Sequence, residues 1–178
     1  TRRLKGTAAR ICVAILAILG VIFAGFTGAT YMMGTIVAWD TPLSIVAPIG
    51  LSLMAGPILL ISLRPLLGGD ALSKTERSVL LATAAVGIII GFGALGIHVF
   101  QVGGLHSGMI QGSSLVHGII APLVVSIVLG VVSLVLCWRT LFGNVMLNAY
   151  SVVTLVLIVA SVFAARLVFY GLQLSVGL

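Results

Sequence analysis

A chain of 178 residues that is 61% hydrophobic and only 7% charged cannot cover the surface of a soluble domain, where roughly 25% of residues are charged. Its net charge of +6 does not mark a nucleic-acid binder, because the basic residues are scattered between apolar stretches and form no patch interleaved with aromatics. The composition instead predicts an all-α polytopic transmembrane helix bundle in which the charges report topology.

Five apolar blocks follow one another, at about 11–31, 43–63, 79–100, 119–138 and 145–167. Each approaches the roughly 20 residues that a helix needs to cross the hydrocarbon core. None alternates as a strand would, and all exceed the length of a barrel strand. A lipid-exposed backbone must satisfy its own hydrogen bonds, so each block is expected to be a helix. Together they make one membrane domain over 1–178. The opening TRRLKGTAAR looks like the start of a signal peptide. The block after it is too long for an ordinary signal core, and no small-residue cleavage site leads into a polar domain. Thr1 is therefore read as an internal start within a longer protein.

The connections carry the orientation. Arg2, Arg3, Lys5 and Arg10 precede the first block, Arg64, Lys74 and Arg77 lie between the second and third, and Arg139 lies between the fourth and fifth. These are eight of the nine basic residues. The two opposite loops, MGTIVAWDTP and QVGGLHSGMIQGSSLVHG, contain neither Lys nor Arg. The positive-inside rule then places the Thr1 end in the cytoplasm and Leu178 outside. In the basic loop LLGGDALSKTERS, Ser73 and Glu76 have the spacing of a capping box that starts a helix.

Glycine occurs 22 times. Gly87 and Gly91 are four apart in the third block, followed by Gly93 and Gly96, and the first block holds Gly20, Gly25 and Gly28. Small residues let membrane helices approach closely; a face shaped for a flat ligand is the alternative. Pro48 and Pro57 interrupt the second block, and Pro57 is expected to bend it. Cys12 and Cys137 lie near the basic ends of their spans without a CxxC pair, so they are read as free thiols and no metal site is expected.

Few residues can carry chemistry. Arg166, the ninth basic residue, lies inside the last block, about 30 Å along a helix that begins near 145. Intramembrane charges are costly and usually face the bundle interior. Tyr170 and Gln173 follow at i+4 and i+7, on the same helix face. A guanidinium, a phenol and an amide in line suit a quinone carbonyl or a lipid phosphate. A snorkelling arginine beside an interfacial tyrosine fits equally well. Asp40 is the one acid in the outer loops. It reads as an exposed carboxylate, as the N-cap of the second helix, or as a partner of Arg166. His98, His106 and His117 gather towards the same side, where histidine suits proton release from a quinol. His98 and His117 also stand where a bis-histidine haem is conceivable, although the spacing does not demand one. No nucleophile–base pair, phosphate loop or dinucleotide fingerprint is present.

The tail AARLVFYGLQLSVGL resembles the end of the membrane-anchor subunits of dimethyl sulfoxide reductases, the DmsC-like family, at Arg166, Phe169, Tyr170, Gly171, Val176 and Gly177. A second stretch, YMMGTIVAWDTPLSIVAPIGLSLMAGPILL, is similar to that family's span pair, with its Thr-Pro turn, Pro48-Ile49-Gly50 and Gly56-Pro57. The histidine–serine pair in LHSG is a weaker match. The resemblance implies the last five of eight spans in a bacterial inner membrane, in an orientation that the basic residues indicate independently. It implies a chain that binds no cofactor itself, takes menaquinol as substrate, and contacts membrane lipid and two partners. One partner is an iron–sulfur subunit with its clusters, and the other is a catalytic subunit with the molybdenum cofactor that reduces a sulfoxide or N-oxide. The family's best-supported quinol histidine belongs to earlier spans. Within this chain the quinol-binding candidates are Arg166, Tyr170, His106 and Asp40. A small transporter and a purely structural membrane subunit are the alternatives; helix centres carrying only Ser, Thr and Gly argue against passage of ions or sugars.

Overall fold

The computed structural model describes residues 7–68, 72–107, 110–142 and 147–173. It forms five helices: α1 Thr7–Ala29, α2 Leu43–Leu66, α3 Lys74–Gly103, α4 Gly112–Phe142 and α5 Leu147–Gly171. All five contain a stretch long and apolar enough to cross a membrane, so the all-α polytopic bundle expected from composition is the observed fold. The only strands among the described residues are β1 His106–Ser107 and β2 Ile110–Gln111, an antiparallel two-residue pair that closes the α3–α4 connection.

Most helices overrun the apolar blocks, for local reasons. The 30 residues of α3 reach about 45 Å at 1.5 Å per residue, longer than the roughly 30 Å hydrocarbon core. The excess begins at the capping box, where Ser73 Oγ accepts from the Glu76 amide at 3.3 Å and Glu76 Oε2 accepts from the Ser73 amide at 2.8 Å. This pair satisfies two orphan amides and starts the helix in polar sequence, ahead of the apolar run. Helix α4 likewise starts in the polar Gly112-Ser113-Ser114, where Ser114 Oγ donates back to the Gln111 carbonyl at 2.7 Å. Helix α2 runs continuously through Pro48, Pro57 and Pro65.

Two cross-chain contacts define the ends of the bundle. Arg77 Nη1 donates to the Leu141 carbonyl at 2.6 Å, which brings the start of α3 beside the end of α4. Trp39 Nε1 donates to the Phe169 carbonyl at 3.1 Å, which brings the α1–α2 connection beside the end of α5. The helices therefore alternate up and down. Arg64, Arg77 and Arg139 share one end, termed here the basic end, and Tyr31, Trp39 and Tyr170 share the other, the aromatic end.

The tightest packing lies between α2 and α3. A Cβ placed on Gly50 would collide with the backbone of Gly91, and one on Gly87 with the backbone of Met54. At Gly91 it would stand 2.9 Å from the Leu51 amide nitrogen. The two glycines four apart in α3 thus pack helix against helix, backbone to backbone. Around this seam Met54, Ile58 and Ala84 are wholly buried. On the far side α4 and α5 are joined by Ser161 Oγ, which donates to the Ser126 carbonyl at 2.7 Å. Helix α1 crosses α2 near its aromatic end, where Gly28 abuts the backbone of Ser44 and Ile45. Every side chain from Ile11 to Phe23 is exposed, so this half of α1 is left uncovered by the other described helices.

The seam predicts a position-specific response to added methyl groups. Gly50→Ala and Gly87→Ala should each lower stability by about 1–3 kcal/mol, the usual effect of overpacking. Gly93→Ala, with open space around it, should be neutral. Thermal unfolding of the detergent-solubilised protein measures both; equal effects at Gly87 and Gly93 would refute the seam.

Candidate functional site

The aromatic end is built from three separated segments. After α1 the chain turns through residues 30–42, where Trp39 and Asp40 donate their amides to the Ile36 carbonyl. Ser44, in the first turn of α2, donates its hydroxyl to the Trp39 carbonyl at 2.7 Å. That bond holds the turn against α2 and directs the indole inward. The indole stacks on Phe169 with centroids 5.3 Å apart and planes 9° from parallel. Tyr31 meets Trp39 and Phe169 edge-on, at 5.4 and 5.1 Å. Such ring pairs add about 0.5–1.5 kcal/mol each beyond simple burial.

His98 completes the underside of this cluster. Its ring is fully buried and lies 5.9 Å from Phe169. Nε2–H donates to the Ala38 carbonyl; the carbonyl can only accept, so Nε2 carries the proton. Nδ1 is buried without a partner among the described residues. His98 therefore ties α3 to the α1–α2 turn. His117 is exposed, and its Nδ1–H donates to the Ser113 carbonyl one turn earlier in α4 at 2.9 Å. The two rings conceivable as a haem pair are each hydrogen-bonded to a backbone carbonyl, one in the core and one on the surface.

The candidates from the tail divide between two surfaces. Tyr170 is exposed, and its hydroxyl hydrogen-bonds that of Tyr31 at 2.7 Å. Arg166, one turn deeper, is half-buried and lines an open cleft of about 330 Å³ between α2 and α5. Ala55 and Leu59 form one wall; Ile158, Val162 and Phe163 form the other. The hydrogen bond with Tyr170 and burial hold the Tyr31 phenol above its ordinary range, with the Arg166 charge acting the other way as the smallest influence. Gln173 is exposed beyond the end of α5. Arg166 and Tyr170 stand one turn apart on α5, whereas Gln173 lies past the helix end and outside the helical row expected for it.

Asp40 is exposed and does not cap α2. Helix α2 begins at Leu43 with Pro42 in the cap position and no side-chain cap. No ion pair between Asp40 and Arg166 occurs among the described residues, which leaves the exposed-carboxylate reading. The His106 backbone pairs with Gln111 in the β hairpin, while its side chain lies outside what the structure describes, as do Val176 and Gly177. No group of three or more metal-ligating side chains occurs among the described residues. Cys12 is exposed and Cys137 is buried, and both are free thiols, as read from the sequence.

Tyr31, Trp39, His98 and Phe169 are the structural centre of this end, and sequence reasoning did not unite them. An interfacial aromatic belt hints at Tyr31 and Trp39, but nothing local tells that their partners lie some 130 residues later. Comparison with protein-family models, curated proteins and solved structures finds no match to this chain.

Removing single polar contacts should grade this cluster. Trp39→Phe keeps the ring but leaves the buried Phe169 carbonyl unpaired, at a cost of about 1–3 kcal/mol. Tyr31→Phe breaks a more exposed hydroxyl pair and should cost less than about 1 kcal/mol. Denaturation of the solubilised protein tests this order, and a larger loss for Tyr31→Phe would reverse the assignment of the indole bond as the stronger tie.

Proposed function

We propose that this chain forms part of the membrane anchor of a quinol-oxidising reductase of the dimethyl sulfoxide reductase type. It holds an extrinsic iron–sulfur subunit and a molybdenum-containing catalytic subunit at the membrane. Menaquinol is oxidised to menaquinone, releasing two electrons to the iron–sulfur subunit and two protons at the aromatic end, which faces outward. The iron–sulfur clusters and molybdenum cofactor belong to the partners.

The observation that carries this reading is the cleft beneath Arg166. At about 330 Å³ it lies at the small end of ligand clefts, which span roughly 300–1,000 Å³. It is open and apolar throughout, and Arg166 lines it only with the apolar part of its side chain. Such a surface suits the isoprenoid tail of a quinol, and Tyr170, paired with Tyr31, lies one turn further along α5. The resemblance of the Arg166–Gly177 tail and of the Tyr31–Leu60 stretch to DmsC-like anchors supports the same reading. Against a transporter, the buried hydroxyls of Ser126, Ser133, Thr154 and Ser161 are each hydrogen-bonded to a backbone carbonyl and are not free to bind a passing solute.

The test uses the complete complex in membranes. Arg166→Ala and Tyr170→Phe should each weaken binding of a quinol-analogue inhibitor by about 5–10-fold, the worth of one lost hydrogen bond. Tyr31→Phe breaks the same phenol pair without touching the tail and separates loss of the pair from loss of a quinol contact. Unchanged inhibitor binding and quinol oxidation in both tail variants would leave a structural subunit without quinol contact as the correct reading.

A further inference from the structure

A second cleft lies towards the basic end of the molecule. Helices α3 and α4 part to leave about 450 Å³ between Leu81, Ala82 and Ala85 on one side and Leu134, Val135 and Trp138 on the other. The small side chains of Ala82 and Ala85 create the space, since α4 places a leucine, a valine and an indole opposite them. The cleft is kept open by a tie at its end: Arg77 Nη1 donates to the Leu141 carbonyl, and Arg77 Nε to the Leu72 carbonyl at 2.9 Å. That arginine is consumed in joining the two walls.

Both walls continue into a basic residue. On α3, Lys74 lies two turns before Ala82 by successive i, i+4 steps through Ser78, so it stands on the cleft face. On α4, Arg139 lies one turn beyond Val135, again at i+4. Lys74 and Arg139 are exposed. Trp138 is 56% exposed at the mouth, with the amphipathic indole that favours the headgroup layer. An apolar slot running from the hydrocarbon, an indole at headgroup depth and two cations above it are complementary to one molecule: a phospholipid with an anionic headgroup. Basic pockets between membrane helices bind such headgroups.

The geometry points to the α3–α4 cleft as a binding site for an anionic phospholipid. One acyl chain lies along Ala82 and Ala85, and the phosphate lies between Lys74 and Arg139. This site shares no residue with the Arg166 cleft and does not rest on the quinol reading.

The chain contains two tryptophans, which makes the site directly readable. Trp39 is sealed in the aromatic end, whereas Trp138 lines the cleft. The full chain is placed in phosphatidylcholine nanodiscs containing either brominated-acyl phosphatidylglycerol or brominated-acyl phosphatidylcholine at equal mole fraction. Each basic residue near an anionic headgroup is worth about fivefold in partition. Trp138 fluorescence should therefore report at least about fivefold selectivity for phosphatidylglycerol. The Lys74→Gln, Arg139→Gln double variant should abolish that selectivity, and Ala85→Leu should reduce quenching by filling the slot. Native mass spectrometry of the wild-type chain and the double variant gives a second readout independent of tryptophan: one retained phosphatidylglycerol on the former and none on the latter. Equal quenching by both lipids, or selectivity that survives the double substitution, would overturn the proposal. Quinol oxidation by the complete complex should survive Lys74→Gln, so loss of lipid selectivity and loss of the quinol site are separately visible.

Discussion

The contact of Gly50 with Gly91, and of Gly87 with the α2 backbone beside Met54, is the constraint on which the rest of this bundle depends. In water, two apolar helices are driven together by removing their surfaces from solvent. In lipid that drive is absent, and association rests on close van der Waals packing and interhelical hydrogen bonds. Only residues without a Cβ allow the backbones to approach as closely as they do here. The α2–α3 pair then forms a wall against which the others are placed. Met54 and Phe92 on that wall meet Gly130 of α4, which also touches Ser161 of α5. One chain of small residues thus connects four of the five helices.

Once the seam is set, the two ends acquire different chemistry. At the basic end an arginine reaches from α3 to the last carbonyls of α4, where a cation complements the helix dipole as well as an orphan acceptor. At the aromatic end the ties are neutral: an indole to a carbonyl, an imidazole to a carbonyl, a serine to a carbonyl, a phenol to a phenol. All four fasten the irregular segment 30–42, and two of them satisfy its Ala38 and Trp39 carbonyls, which need partners near the hydrocarbon edge. The bundle also carries two clefts with a cation nearby, one in the middle of α2 and α5 below Arg166 and one between α3 and α4 near Arg139. The first cation lies within a span, the second beyond the apolar run, so they meet different parts of the membrane.

Local signals were read correctly wherever the physics is local. The Ser73–Glu76 box forms because a hydroxyl and a carboxylate three residues apart meet the same two amides. The Gly87–Gly91 spacing puts two bare positions on one helix face, and the neighbouring helix fills them. Pro57 carried an expectation of a bend, and α2 runs through it as one helix. Asp40 was read in part as a cap, but the helix starts two residues later than that role requires. The i, i+4 step from Arg166 to Tyr170 was visible; the cleft beside Arg166 was not, because its other wall comes from Ala55 and Leu59, more than a hundred residues away. The same distance hid the pairing of Tyr31 with Tyr170 and of Trp39 with Phe169.

The sequence by itself determined that the chain is a membrane bundle of five helices, since length and hydropathy alone settle what can cross a bilayer. It also determined which faces allow close approach, since the absence of a side chain is written in the residue. Only the tertiary structure decided which distant groups satisfy one another. Hydrogen bonds such as those from Trp39 and His98 form because burial leaves a donor few acceptors within reach, and which acceptor arrives depends on how all the helices pack. Arg166 shows the division most clearly. Its cost within an apolar span was plain from composition, while the cleft it borders, and its nearness to Tyr31, exist only once α2 and α5 are side by side.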